Sequence, residues 1–141
     1  MTRIRPVTTN VDIISTWPVM SQLRPHIAEA EYLSFVQGVL AGGGEMIAAF
    51  DGDTCTGCSI FREQLRLATG PMIYVDDLVT DAAQRSTGVG AALLAAIEEI
   101  ARERGIPVLT LDSGTHRERA HAFYFREGFT ITSFNFKKRL T

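Results

Sequence analysis

The stretch from Met72 to Leu111 constrains the fold of this chain most. Met72–Thr80 follows a Thr69-Gly70-Pro71 turn and reads as a strand. Thr87–Arg104 reads as the best helix: Val89, Leu93, Ile97 and Ile100 form one apolar stripe, widened by Leu94 and Ala101. Glu98 and Arg102 pair at i, i+4 on the opposite side. Gly105 supplies a C-cap and Pro107 blocks continuation. Val108–Leu111 is a short apolar strand. Strand, helix and strand in close succession call for a parallel pair joined by a crossover helix.

The flanking segments add antiparallel pairs. Thr2–Val7 reads as a first strand, and Val11–Leu23 and Ile27–Leu40 as helices, with Pro18 and Pro25 kinking or breaking the region. Ala41–Gly44 is a loop. Glu45–Phe50 and Cys55–Phe61 flank Asp51-Gly52-Asp53-Thr54 and form a hairpin. A helix is expected over His116–Arg126, opened by a Thr115/Glu118 capping box and ended by Gly128. Phe129–Ser133 and Phe134–Leu140 read as two closing strands. The fold class is therefore α/β (α+β), a mixed sheet covered by helices. A chain of 141 residues, 45% hydrophobic and 21% charged, makes one domain, 1–141, able to bury a core without disulfides or a structural metal.

Charge and composition exclude several functions. Fourteen Lys+Arg against 16 Asp+Glu give a net charge of −2, which removes the basic excess of a non-specific nucleic-acid binder. No apolar run is long enough for a membrane span. Arg3 and Arg5 lead into Pro6, Asn10 and Asp12 rather than a secretory h-region, so a cytoplasmic location is expected.

The chemistry concentrates at Arg85-Ser86-Thr87-Gly88-Val89-Gly90, between the strand and the strongest helix. Amides at a helix start are unpaired and the helix dipole makes that end positive. Gly88 and Gly90 let an anion approach the backbone, Arg85 adds charge, and Ser86 and Thr87 add hydroxyls, as a phosphate or pyrophosphate site requires. The competing reading is a Gly-rich turn that merely starts a helix. A dinucleotide fingerprint would need glycine where Leu93 stands, and a P-loop would need Gly-Lys-Ser/Thr; neither is present.

This segment and a second one resemble the GNAT superfamily of N-acetyltransferases, most specifically from Tyr74 to Phe129. The first signature is Arg85, Gly88 and Gly90 directly after Tyr74-Val75-Asp76-Asp77-Leu78-Val79-Thr80; the second is Ala120, Tyr124 and Gly128-Phe129. The resemblance implies a mixed, mostly antiparallel sheet of six to seven strands flanked by about four helices. It implies acetyl-CoA as cosubstrate, no metal, and acetyl transfer to a primary amine of a small molecule or peptide. The pyrophosphate would sit on the amides of Arg85, Ser86, Thr87, Gly88, Val89 and Gly90. The pantetheine arm would pair with backbone near Val79 and Thr80 as an added strand. A bulge would free an amide near Leu78 to polarise the thioester carbonyl. Tyr124 would protonate the departing thiolate, on a helix face shared with Arg117, Ala120 and His121. Many relatives carry Asn where Arg117 stands, so Arg117 would meet the cofactor differently. The segment Asp112–Tyr124 also resembles small bacterial amine acetyltransferases, including aminoalkylphosphonate enzymes. A homodimer is compatible with an exposed sheet edge. The alternative is a non-catalytic acyl-CoA-binding regulatory module.

A base must take the ammonium proton of the acceptor, directly or through water. Asp76 and Asp77 are the candidates, with His121 as an alternative. Consecutive strand residues face opposite sides, and parity favours Asp76 toward the substrate unless a bulge shifts the count. Other features carry less. Cys55 and Cys58 lack a second ligand pair, and in a regular strand i and i+3 face opposite ways. His116 suits the surface, the resemblance puts His26 in the helix region that shapes the acceptor pocket, and Trp17, Met20, Tyr32 and Phe35 suit core or pocket wall.

Overall fold

Pro18 divides the first helical region. In the computed structural model, which describes residues 2–141, helix α1 (Asn10–Ser15) ends at Thr16 and α2 (Trp17–Leu23) restarts with the proline in its first turn, where no amide hydrogen is needed. Arg24 caps α2 immediately before Pro25, and α3 (Glu29–Ala41) follows. Thr16 is fully buried at the break; its hydroxyl donates to Ile13 O (2.6 Å) and accepts from the Tyr32 hydroxyl of α3 (2.7 Å). The two expected helices are thus three.

The strands are β1 (Thr2–Pro6), β2 (Gly44–Asp51), β3 (Thr54–Arg66), β4 (Gly70–Thr80) and β5 (Val108–Leu111), side by side in that order. β1–β2, β2–β3 and β3–β4 are antiparallel, so the sheet is mostly antiparallel. Between β4 and β5 runs α4 (Val89–Glu103), entered through a 3-10 turn, Ala82–Gln84. One sheet face packs on α1–α3 through Val7, Ile13, Met20, Val36, Met46 and Ile60. The other receives α4, whose Leu93, Leu94 and Ile97 are fully buried. Gly57 makes that contact close: a Cβ there would lie 2.7 Å from Val89 Cγ1 and 3.1 Å from Leu93 Cδ1. No helix among the described residues is long and apolar enough to cross a membrane.

At the far end of α4, Arg104 donates through both terminal nitrogens to Glu45 at the start of β2, each at 2.7 Å. The bond lowers the Glu45 carboxyl below its usual range and raises Arg104. A depressed carboxylate pKa contributes stability at neutral pH that is lost as pH falls through the folded-state value. Both side chains are over a third exposed, so a Glu45→Gln/Arg104→Gln double-mutant cycle should give a coupling of only about 0.5–1 kcal/mol at pH 7. Urea unfolding repeated at pH 3 should show the coupling shrinking.

Two bulges alter the strand parity. In β2–β3, Ala49 opposes Gly57 and Phe50 opposes Cys55, leaving Thr56 as the extra residue. Cys55 and Cys58 therefore lie in the same buried cluster, not on opposite faces. Their thiols interact, which lowers Cys55 and, with burial, pushes Cys58 up. In β3–β4, Ile60 opposes Asp77 and Phe61 opposes Val75, so Asp76 is the extra residue.

The chain forms two compact units, one running to Thr110 and the other Leu111–Thr141. In the second, α5 (Glu118–Arg126) starts two residues later than expected, and Arg117 is its cap without a side-chain bond. The capping box does not form: Glu118 N donates to His116 O (3.1 Å), while His121 Nε2 (2.7 Å) and Arg117 N (3.0 Å) both bond Gly114 O in a tight turn before the helix. The two closing strands are also absent. Residues 129–141 hold no strand, and Ile131, Phe134, Phe136 and Leu140 are exposed. No glycine, proline or Asn-Gly pair separates the two expected strands to turn one back on the other. The described sheet therefore has five strands rather than six or seven, with five α-helices rather than about four.

Candidate active site

The loop after β4 is built for a positive, open helix end. Asp81 caps the 3-10 turn through Ala83 N (3.4 Å) and accepts from Gln22 Nε2 (3.0 Å), while Gln22 Oε1 accepts from Ala82 N (2.9 Å). Gln22 of α2 thereby clamps the loop entry. Ser86 takes φ +67° and Gly88 φ +90°. The left-handed turn at Gly88 suits a residue without Cβ. Ser86 accepts the same region as a side-chain-bearing residue, a conformation that costs about 1–2 kcal/mol and concentrates at functional loops. Gly88 caps α4 with no side-chain hydrogen bond, and Ala92 N is bonded to Gly88 O. The amides of Val89, Gly90 and Ala91 thus lack an acceptor within the helix. Arg85, Ser86, Thr87 and Gly88 are exposed.

β4 carries the next group of residues. β3 pairs with it from Gly57↔Thr80 to Arg66↔Gly70. On its other edge β5 has 4 residues against the 11 of β4, so most of that edge is left without a strand. Leu78 returns to regular register opposite Ser59, and Val79 packs on the α1–α3 core, which puts Leu78 and Thr80 on the α4 side. The bulge lies at Asp76, two residues before Leu78.

The bulge also separates the two carboxylates. Asp76 Oδ2 accepts from Arg62 Nε (2.8 Å) along the sheet. Asp77 Oδ1 accepts from Arg24 Nε (2.7 Å), while Arg24 Nη2 donates to Asp76 O (3.2 Å) and Ser59 Oγ to Asp77 O (2.7 Å). Asp77, not Asp76, lines a cavity of about 220 Å³ between α2, α3 and the sheet. Met20, Ile27, Phe35, Val36, Val39 and Ile60 form its apolar wall, and Arg24, His26 and Tyr32 complete it.

In the second unit, Tyr124 lies edge-on to Phe123 (centroids 5.3 Å) and to Phe129 (5.6 Å). Burial raises the Tyr124 phenol above its ordinary value against an opposing effect of the Arg117 charge. Arg117 and Ala120 are half-buried on the same helix start, and His116 is exposed. His121 is occupied by Gly114 O.

Gln22, Arg24, Arg62 and Ser59 escaped sequence reasoning. Arg24 stands 53 residues from the carboxylate it holds, and no local pattern announces such a pair. A signal for the bulge did exist: Asp76-Asp77 puts two charges side by side where a two-sided strand alternates.

The acetyltransferase (GNAT) family model matches residues 12–129. An N-acetyltransferase of Bacillus subtilis, YhdJ, described as uncharacterized, is 30% identical over 140 residues, covering 98% of this chain and 99% of the relative. An aminoalkylphosphonate N-acetyltransferase of Salmonella typhimurium is 38% identical over 66 residues, 47% of this chain and 43% of that one. The fold is shared with aminoglycoside N-acetyltransferase AAC(6')-Iy, solved in complex with CoA: TM-score 0.86 at 17% identity, covering 99% of this chain and 94% of that one. The chain belongs to the GNAT acetyltransferase family and is an N-acetyltransferase.

Proposed function

We propose that the protein transfers the acetyl group of acetyl-CoA to a primary amine of a small molecule or peptide by direct attack of the amine on the thioester. The observation that carries this reading is the uncapped N-terminus of α4 behind Ser86 and Gly88, both at positive φ. Free amides and a positive helix end fit a pyrophosphate. Arg85 to Gly90 would hold it, with the Arg85 charge alongside. The backbone of Val79 and Thr80, at the end of β4, would pair with the pantetheine arm. An amide at the bulge, near Leu78, would donate to the thioester carbonyl as it gains charge.

Asp77 is the base in this reading. It takes a proton from the bound ammonium, directly or through water, so that the neutral amine can attack. Asp76 serves as a structural partner of Arg62. The new N–C bond forms as the C–S bond breaks. Tyr124 would donate its proton to the departing thiolate and recover one from solvent, while the acylated nitrogen releases its surplus proton to solvent as the amide forms. A phenol raised by burial stays protonated at neutral pH, as a proton donor must. Arg117 and Ala120 would flank the cosubstrate on the same helix.

The test follows free thiol release from acetyl-CoA with a panel of amines. Release with at least one amine is expected; CoA binding without release for any amine would favour a non-catalytic acyl-CoA-binding module instead. Tyr124→Phe should lower kcat by about 100-fold, the lower end of general acid catalysis, with the Kd for CoA measured by calorimetry unchanged.

A further inference from the structure

We infer that the cavity against Asp77 selects a small apolar monoamine, one ammonium on an aryl or alkyl body, as the acetyl acceptor. The inference rests on the acetyl-transfer reading and adds the class of acceptor. Three observations carry it. The first is size: about 220 Å³ lies below the 300–1,000 Å³ of pockets for drug-sized ligands, so a multi-ring amino sugar does not fit inside.

The second is the wall. Apart from Asp77, Arg24 and His26 the lining is apolar, and Phe35 stands at the rim 55% exposed. Tyr32 adds only its ring, because its hydroxyl is committed to Thr16. An apolar body entering here would cover Phe35 and remove its own surface from water.

The third is charge. Arg24 holds Oδ1 of Asp77, and Oδ2 has no hydrogen-bond partner among the described residues. That free oxygen suits one ammonium. A polycation finds no second carboxylate in the lining, since Asp76 is turned to Arg62. A phosphonate would have to approach Asp77, whose neighbouring cation is already paired, leaving exposed His26 as its other basic group.

The experiment compares kcat/KM for phenethylamine, 2-aminoethylphosphonate and kanamycin with saturating acetyl-CoA. Burying one aromatic ring is worth about 1.5–3 kcal/mol, or about 10- to 150-fold, so phenethylamine should lead by at least about tenfold. Phe35→Ser, which alters an exposed rim residue and spares the core, should raise the phenethylamine KM several-fold. Val36→Phe, which fills the cavity, should raise it at least about tenfold. Both should leave the acetyl-CoA KM unchanged. A lead for the phosphonate or kanamycin, or an unchanged phenethylamine KM in both variants, overturns the inference while acetyl transfer stands. If no amine is acetylated, the transfer reading fails, and calorimetry decides the pocket separately. Phenethylamine binding that Val36→Phe abolishes supports the pocket assignment; no binding overturns it.

Discussion

Gly57→Val should lower the melting temperature by about 3–12 °C and weaken acetyl-CoA binding about tenfold. The first number follows from geometry. Even a single Cβ at Gly57 would sit 2.7 Å from Val89 Cγ1, 3.1 Å from Leu93 Cδ1 and 3.1 Å from the carbonyl oxygen of Val79. Valine adds two methyl groups to a space already closed by fully buried Leu93. Overpacking of this kind costs about 1–3 kcal/mol, and each kcal/mol shifts the midpoint by about 3–4 °C in a chain of this length. The second effect arises because the displaced element is the first turn of α4. Val89 is the first helical residue after Gly88, so pushing it off the sheet moves the amides proposed to hold the pyrophosphate. Gly57→Ala should show a smaller loss, and Val89→Ala in that background should restore part of it by removing the clashing Cγ1. Circular dichroism melts and calorimetric titration with CoA check both effects. A variant that melts normally and binds CoA normally would show that α4 is not seated through Gly57.

The same helix shows why part of the molecule can be read without coordinates. Its apolar stripe, Gly105 and Pro107 all report on residues within one or two turns of each other, so its limits fall within two residues of expectation. The turn Asp51–Thr54 is likewise local, and it joins β2 to β3 as its Asp-Gly pair predicts. The loop Arg85–Gly90 is legible for the same reason. What fails depends on pairing between distant segments. One extra residue at Thr56 reverses the facing of Cys55 relative to Cys58, and one at Asp76 puts Asp77 rather than Asp76 at the cavity, the shift that a bulge brings to the parity count. Neither insertion changes the composition of its strand. The pattern of Phe129–Leu140 suits strands, yet a strand exists only where a ladder partner accepts its backbone bonds. Thr115 and Glu118 have the right spacing for a cap, but the Glu118 amide that Thr115 would bond donates to His116 O instead, and Arg117 takes the cap position.

Asp77→Asn should reduce kcat/KM for the best amine by at least about 100-fold at pH 7, with little change in CoA affinity. The carboxylate has two roles in the proposed chemistry. It accepts the ammonium proton, a contribution typically worth about 10²–10⁴ in rate, and its free Oδ2 anchors the ammonium in the cavity. Asparagine keeps the size and can still accept from Arg24 Nε, so the 2.7 Å contact that fixes Arg24 survives in weakened form. It cannot take a proton. The two roles separate with pH. If Asp77 is the base, raising the pH toward the acceptor's own pKa delivers an already neutral amine, and the deficit of Asp77→Asn should narrow. If Asp77 only shapes the pocket, the deficit stays constant across the profile. Asp76→Asn is the internal control. Its partner is Arg62 through Oδ2, outside the cavity lining, so its loss should fall on stability and leave the pH profile of kcat/KM in its original form. A profile altered by Asp76→Asn and untouched by Asp77→Asn would reverse the assignment and place the base at the bulge residue itself.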